Sequence, residues 1–158
     1  MLAAFVSIPS VAADHVLLDV HALYDDFSSK HPDIPDISVE EFLALKERSD
    51  IVLVDNRTPK ERAVSMIPGA ISDEEFEAVR EEYEDAPIVV YCTIGVRSGR
   101  YTKKLLRWGF DAYNLAGGVL AWAHAGGEFV DSRGNRTDTV HVYGFEWNLL
   151  PSGYSPVW

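Results

Sequence analysis

The chain has 158 residues, of which 47% are hydrophobic and 25% are charged, so it can bury a core of its own. Its formal net charge of −11 argues against DNA, RNA or an anionic membrane as the main partner, because those partners select a basic face. A single cysteine excludes an internal disulfide and any zinc site built from several cysteines, and no stretch is apolar for long enough to span a bilayer.

Residues 1–35 are predicted to form an N-terminal extension. Residues 1–13 are apolar and end in small residues, which leaves two interpretations open. They are either a segment that packs on a cytoplasmic protein or the remnant of a signal peptide, in which case the protein is periplasmic. Apolar residues at helical spacing within 14–29 then predict an amphipathic helix, and the prolines of 30–37 predict a linker.

The stretch that follows alternates helix and strand signals. Ser38, Thr58 and Ser72 each precede a glutamate by three residues, the pattern of a capped helix start. The apolar runs at 51–55, 87–92 and 112–115 are continuous and rich in β-branched and aromatic residues, which is typical of strands covered on both faces. This alternation predicts an α/β fold with an open, mostly parallel sheet and helices on both faces. The helix that starts at Ser72 is expected to direct Phe76, Val79 and Tyr83 inward.

The only cysteine, Cys92, lies between a predicted strand that ends at Tyr91 and a helix that begins near Arg97 or Ser98. In parallel sheets, ligands bind outside the carboxyl ends of the strands. A thiol just before a helix faces unpaired backbone N–H groups and the positive end of the helix dipole, which favour the thiolate. Gly95 lets the loop curl around an anion, and Arg97 adds a positive charge. The loop therefore predicts a cradle for a reactive sulfur, with a buried structural cysteine as the alternative.

Three signatures occur in order along the chain. The first is Asp55, Arg57 and Glu61 followed by Ile67, Pro68, Gly69 and Ala70; the second is "CTIGVR" at 92–97; the third is Gly109, Phe110, Leu115, Gly117, Gly118, Ala121 and Trp122. Over about residues 36–130 these signatures resemble the rhodanese family of single-domain sulfurtransferases. The resemblance implies a rhodanese-like domain over 36–130.

The resemblance also implies a transfer of sulfane sulfur through a persulfide on Cys92. Arg97 would assist catalysis, and the loop residues Thr93, Ile94, Gly95, Val96 and Ser98 would bind the anion. Asp55, Arg57 and Glu61 would support the site, with an ion pair expected between Arg57 and Glu61. The donor would be thiosulfate or an organic persulfide, and the acceptor a thiol, cyanide or a sulfur-acceptor protein. The reaction needs no metal and no organic cofactor.

Two other functions remain open at this point. The domain could be a persulfide carrier or docking module, since the acidic segment 72–85 could bind a basic partner. It could also be a phosphatase, although that chemistry uses a Cys-x5-Arg loop that is one residue longer. Thr93 and Ile94 are expected to leave the mouth of the loop without charge, which disfavours thiosulfate as the donor.

Residues 131–158 are predicted to form a C-terminal hairpin and an aromatic tail that packs on the domain. The hairpin strands are predicted at 128–131 and 139–144, with a turn over 131–137. A lid over the cysteine loop is the alternative role for the tail.

Overall fold

Five short parallel strands form the central sheet in the computed structural model, which describes residues 11–158 and side chains from residue 15 onward. In spatial order they are β1 (Asp36–Ile37), β5 (Ala112–Leu115), β4 (Ile88–Tyr91), β2 (Val52–Asp55) and β3 (Ile71–Ser72). The predicted α/β fold with a parallel sheet is confirmed. The two edge strands have two residues each, too few for a periodic pattern to reveal. Residues 1–10, with most of the proposed leader remnant, lie outside the described residues.

Six helices accompany the sheet in the described part of the chain. They are α1 (Val11–Ser28), α2 (Val39–Lys46), α3 (Pro59–Val64), α4 (Asp73–Ala78), α5 (Val96–Arg107) and α6 (Gly118–His124). The predicted capping boxes at Ser38, Thr58 and Ser72 are all present. None of these six helices is both long and apolar enough to cross a bilayer.

The acidic segment departs from its prediction. Helix α4 ends at Ala78 and a 3₁₀ turn follows at Arg80–Tyr83, so the helical register breaks between them. Phe76 is buried and stacks on Tyr83, but Val79 is exposed. The predicted inward stripe is therefore wrong at Val79, because a change of helix type rotates that side chain away from the core.

The core occupies both faces of the sheet. All four residues of β4 are fully buried, with Val89 and Tyr91 on one face and Ile88 and Val90 on the other. On the first face, α1 packs against α6 and buries Tyr24. This double cover explains why the strand sequences are continuously apolar rather than alternating.

The C-terminal hairpin is present, but its second strand differs from the prediction. β6 (Phe129–Val130) pairs antiparallel with β7 (Arg136–Thr137), not with 139–144. The next strand, β8 (Thr139–His141), pairs in parallel with β9 (Ser155–Val157) at the end of the chain.

The turn of the hairpin explains this difference. The Asp131 carboxylate accepts hydrogen bonds from the backbone N–H groups of Arg133 and Asn135, both at 2.9 Å. The turn therefore closes at Asn135, two residues earlier than predicted, and Arg136 already pairs with β6. Residues 139–141 therefore do not belong to the hairpin and form the separate strand β8. The residues that follow β8, 142–147, lie near the carboxyl end of the sheet.

Candidate active site

The cysteine loop joins β4 to α5 at the carboxyl end of the sheet. Cys92 follows Tyr91 directly and is only 1% exposed. Gly95 is the N-cap of α5 and has a φ of 111°, a backbone conformation that residues other than glycine rarely adopt. In this conformation the Gly95 N–H donates a hydrogen bond to the Cys92 Sγ at 3.2 Å. One of the loop N–H groups expected to face the sulfur therefore does so, and α5 begins at Val96, slightly earlier than expected.

The start of α6 fixes the loop from the other side. The Cys92 carbonyl accepts a hydrogen bond from the Val119 N–H at 2.9 Å, and the Thr93 carbonyl accepts one from Leu120. A Cβ atom on Gly118 would lie 2.2 Å from the Cys92 carbonyl oxygen, so this approach requires glycine. The third sequence signature, which contains Gly118, therefore holds the backbone of the second.

A buried chain of polar groups leads from the sulfur to the N-terminal helix. The Ser98 Oγ lies 3.4 Å from the Cys92 Sγ and 2.7 Å from the Asn114 Oδ1. Because an amide oxygen only accepts, Ser98 donates its single proton to Asn114 and offers a lone pair to a thiol, or rotates to donate to a thiolate. The Asn114 amide nitrogen in turn donates to the Tyr24 hydroxyl and to the Gly95 carbonyl. The loop, β5 and α1 are thus joined behind the sulfur.

Glu61 and Arg97 form the main ion pair of the site. The two Nη atoms of Arg97 donate to the two Glu61 carboxylate oxygens at 2.7 and 2.8 Å. Burial alone would raise the pKa of Glu61, but hydrogen bonds from Arg97 and Thr58 outweigh it and hold the pKa at about 2. Glu61 also closes the capping box of α3.

The ion pair expected between Arg57 and Glu61 is therefore wrong. Arg57 instead pairs with Asp55, at 2.7 Å between Nη2 and Oδ2, and both side chains are fully buried. Arg57 also donates to the Ser65 carbonyl, and Asp55 accepts from the Tyr91 hydroxyl at 2.6 Å. Both Glu61 oxygens are already engaged by Arg97 and Thr58, so Arg57 pairs with Asp55 at the end of β2.

A cavity of about 250 Å³ opens beside the sulfur. Its walls are Cys92, Thr93, Ile94, Val96, Arg97, Arg100, Tyr143 and Trp147. Five of the predicted site residues therefore meet around one space, namely Cys92, Thr93, Ile94, Val96 and Arg97. Gly95 and Ser98 contact the sulfur without lining the cavity, and Asp55, Arg57 and Glu61 support it from outside. No group of three His, Cys, Asp or Glu side chains within residues 15–158 is arranged to hold a metal ion.

Thr93 was expected at the mouth of the loop, but it is buried instead. Its residue is 3% exposed, and its Oγ1 lies 3.3 Å from an Arg97 nitrogen and 3.4 Å from a Glu61 oxygen. The hydroxyl is drawn inward because the ion pair needs further hydrogen-bond partners. Thr93 therefore does not set the charge at the entrance, and the cavity wall carries the cations Arg97 and Arg100 instead.

Four residues of the site were not among the predicted ones, namely Arg100, Asn114, Tyr143 and Trp147. Asn114 carries a signal that could have revealed it, since a polar side chain interrupts an otherwise apolar buried strand. Tyr143 was predicted in the second hairpin strand, and Trp147 in the aromatic tail, for which a lid over the cysteine loop was the alternative role. Nothing local predicts that they reach the cavity, because their position depends on the parallel pairing of β8 with β9.

A larger cleft of about 730 Å³ lies elsewhere, between Arg80, Asp85, Trp108 and Phe110. Asp85 precedes β4 and Phe110 precedes β5, so this cleft lies at the amino ends of the strands. In open parallel sheets the ligand crevice lies at the carboxyl ends. The smaller cavity, which holds the thiol, is therefore the better candidate for the site.

Curated relatives match the central part of the chain. A sulfurtransferase from Allochromatium vinosum is 38% identical over 52% of this chain and 80% of its own length. The thiosulfate sulfurtransferase GlpE from Pseudoalteromonas translucida is 34% identical over 60% of this chain and 94% of its own. The tRNA uridine(34) hydroxylase from Acinetobacter baylyi is 34% identical over 52% of this chain, but the match covers only 30% of that protein.

Solved structures agree with these sequence matches. A thiosulfate sulfurtransferase from Pseudomonas aeruginosa superposes with a TM-score of 0.58 at 25% identity, over 73% of this chain and 23% of that one. A rhodanese-like domain protein from Staphylococcus aureus gives a TM-score of 0.50 at 29% identity, over 56% of this chain and 91% of that one. The family model of the Rhodanese-like domain matches residues 38–125, more than half of the chain, and this range includes the cysteine loop and its ion pair. The chain therefore belongs to the rhodanese-like domain family.

Proposed function

We propose that the protein transfers sulfane sulfur from a small donor to a small acceptor through a persulfide on Cys92. The observation that carries this proposal is the setting of the thiol. The only sulfhydryl of the chain lies at the carboxyl end of the central strand, accepts a hydrogen bond from the Gly95 N–H and borders a cavity. The names of the sulfurtransferase relatives agree with this chemistry.

The reaction would proceed in two displacements. In the first, the Cys92 thiolate attacks the outer sulfur of the donor, a new S–S bond forms, and the old bond to that sulfur breaks. The leaving group, which is sulfite when the donor is thiosulfate, departs with the electron pair. In the second, a thiolate or cyanide attacks the outer sulfur of the persulfide, and the Cys92 thiolate departs with the electron pair. Covalent catalysis of this kind divides one difficult transfer into two easier ones.

The surrounding residues have distinct roles in this proposal. The Gly95 N–H and the Ser98 hydroxyl stabilise negative charge on the sulfur, as preorganised donors do for other developing anions. Arg97 lies on the cavity wall, where Glu61 fixes its position and offsets its charge. Asp55 and Arg57 are positioning residues that hold the end of β2. A metal or organic cofactor takes no part in either displacement.

Turnover distinguishes this function from its alternatives. Wild-type protein with a sulfane-sulfur donor and cyanide should form thiocyanate over many cycles, and Cys92→Ser should form none although its melting temperature is unchanged. A persulfide carrier would instead release one equivalent and stop. A phosphatase would hydrolyse an aryl phosphate, and we expect no such hydrolysis because the loop has only four residues between Cys92 and Arg97.

A further inference from the structure

The segment that follows β8 brings two aromatic rings to the cavity. Tyr143 and Trp147 both line it, although they lie outside the stretch that matches the family, which ends at residue 125. Their ring centroids are 6.5 Å apart at an interplanar angle of 81°, an edge-to-face contact. The wall that faces the thiol is therefore made partly by the C-terminal extension of this chain.

Tyr143 is held in this place by an unusual backbone. Its φ is 74°, and it is the only residue other than glycine with a positive φ in the described part of the chain. Its N–H donates to the Nδ1 of His141 at 3.2 Å, and the His141 N–H donates to the Ser65 Oγ at 3.2 Å. A strained residue of this kind persists only when its surroundings determine it, and such residues cluster at ligand sites.

The same arrangement removes Arg97 as a free anion-binding group. Both Nη atoms of Arg97 are engaged by Glu61, and the Tyr143 ring covers the guanidinium with its centroid 5.1 Å from Cζ. Only 30% of the Arg97 side chain remains exposed. Arg100 is the other cation on the wall, and it forms no ion pair with any described residue.

The cavity thus offers aromatic rings, the aliphatic side chains of Ile94 and Val96, and one cation without a counter-ion among the described residues. A small dianion would find a single exposed cation and a mostly apolar surface. A donor with one negative charge and an apolar organic body would satisfy both parts of the wall at once.

Resting on the sulfur transfer proposed above, we infer that Tyr143 and Trp147 form a subsite for the organic part of a monoanionic sulfur donor. They are specificity-determining residues that favour such a donor over thiosulfate.

With a thiosulfonate as donor, the Cys92 thiolate attacks the terminal sulfur and forms the persulfide bond. The bond between that sulfur and the sulfonyl sulfur breaks, and a sulfinate departs with the electron pair. No oxidant or reductant is consumed.

Three donors separate the effect of charge from the effect of the ring. Thiosulfate carries two charges and no organic group, methanethiosulfonate carries one charge and a methyl group, and benzenethiosulfonate carries one charge and an aromatic ring. The quantity to measure is the ratio of kcat/KM for the benzene donor to that for the methane donor. The different intrinsic reactivities of the donors cancel when this ratio is compared between variants.

Tyr143→Gly removes the ring and relieves the positive φ, so the turn can persist. Loss of one aromatic contact should lower the donor ratio about fivefold, and Trp147→Ala should lower it in the same direction. The matched control is Phe145→Ala, because Phe145 is an exposed aromatic residue of the same turn that does not line the cavity. Melting temperatures report whether each variant is folded.

The outcomes separate this inference from the function on which it rests. If the ratio falls in Tyr143→Gly and is unchanged in Phe145→Ala, the subsite is supported. If the wild type transfers sulfur but the ratio is the same in Tyr143→Gly, the subsite is refuted and the sulfur transfer stands. If none of the three donors transfers sulfur to the wild type, the proposed function fails and the subsite fails with it.

Discussion

Glu61 joins several parts of the site through one carboxylate. It accepts hydrogen bonds from the Arg97 guanidinium, from the Thr58 hydroxyl and backbone, and from the Thr93 hydroxyl at 3.4 Å. A buried ion pair stabilises a fold only when such additional hydrogen bonds compensate for its desolvation. The site is therefore organised before a substrate arrives, which is the condition under which fixed donors are effective.

Replacing Glu61 tests this organisation. Glu61→Gln keeps the capping box, which accepts glutamine, but leaves the Arg97 charge without its partner. We expect the free energy of unfolding at pH 7 to fall by about 2 kcal/mol. The matched control is Glu74→Gln, whose exposed pair with Arg62 should contribute little.

The same substitution has a pH signature. The pKa of Glu61 is depressed from 4.5 to about 2, so its stabilising effect is complete above pH 4.5 and is lost as the pH falls through about 2. The difference in unfolding free energy between the wild type and Glu61→Gln should therefore shrink between these two pH values. Urea denaturation across this range measures it, and a constant difference would contradict the assigned ion pair.

At the scale of elements, the start of α5 determines how the sulfur is held. Gly95 needs its positive φ to direct its N–H at the Cys92 Sγ. A Cβ atom there would lie 2.5 Å from a ring carbon of Tyr24, so α1 closes over the loop from behind. The N-terminal helix, although outside the matched family region, thus constrains the geometry of the thiol.

A pair of glycine substitutions separates backbone strain from this contact. Gly95→Ala and Gly109→Ala both place a Cβ at positive φ, but Gly109 has no atom within 4 Å of that position. We expect Gly109→Ala to cost about 1 kcal/mol of stability and Gly95→Ala about 3 kcal/mol. Only Gly95→Ala should also slow alkylation of Cys92 by iodoacetamide. Equal effects of the two substitutions would show that the contact with Tyr24 has no role.

The turn after β8 contains a buried titratable group. Burial lowers the pKa of His141 below its ordinary value of 6.5; Glu61 opposes this shift, and Lys60, Arg57 and Arg97 add to it. His141 is 4% exposed, and its Nε2 has no partner among the described residues. Protonation would place a charge in this setting and convert Nδ1 from an acceptor to a donor, which breaks its hydrogen bond with the Tyr143 N–H.

This arrangement predicts a loss of stability in mild acid. As the pH falls below 6.5, the unfolded chain binds a proton at His141 before the folded chain does, so the free energy of unfolding decreases. His141→Asn keeps an acceptor near the Nδ1 position and should remove this part of the pH dependence. The control is His15→Asn, because His15 is exposed on α1. Identical stability curves for the wild type and His141→Asn between pH 7 and 5 would refute the prediction.

The features that could be predicted from the sequence are those encoded within a few residues. The capping boxes at Ser38, Thr58 and Ser72 depend on residues three apart, and the strand runs depend on continuous burial. The pair between Glu61 and Arg97 could not be predicted, because the two residues are 36 apart and meet only when α3 packs beside the loop. The position of Tyr143 likewise depends on a parallel pair of three-residue strands whose register no local pattern fixes.

At the scale of the whole molecule, the net charge of −11 acts on every anionic donor. A dianion is repelled more strongly than a monoanion. At 0.1 M ionic strength, salt largely screens this repulsion at distances beyond about 10 Å. The KM for thiosulfate should therefore fall as ionic strength rises, and that for benzenethiosulfonate should fall less. Initial rates in sodium chloride series measure both, and an equal response of the two donors would exclude long-range charge as a cause of donor preference.

The central claim is that Cys92 carries the sulfur between donor and acceptor. Intact mass spectrometry of the wild type and of Cys92→Ser, after brief exposure to benzenethiosulfonate, tests it most directly. Because the chain has a single cysteine, any mass that is added to a thiol must be on Cys92. We expect the wild type to gain the mass of one sulfur atom, to lose it on addition of cyanide, and Cys92→Ser to gain nothing. An unchanged wild-type mass, or an equal gain in Cys92→Ser, would contradict the account.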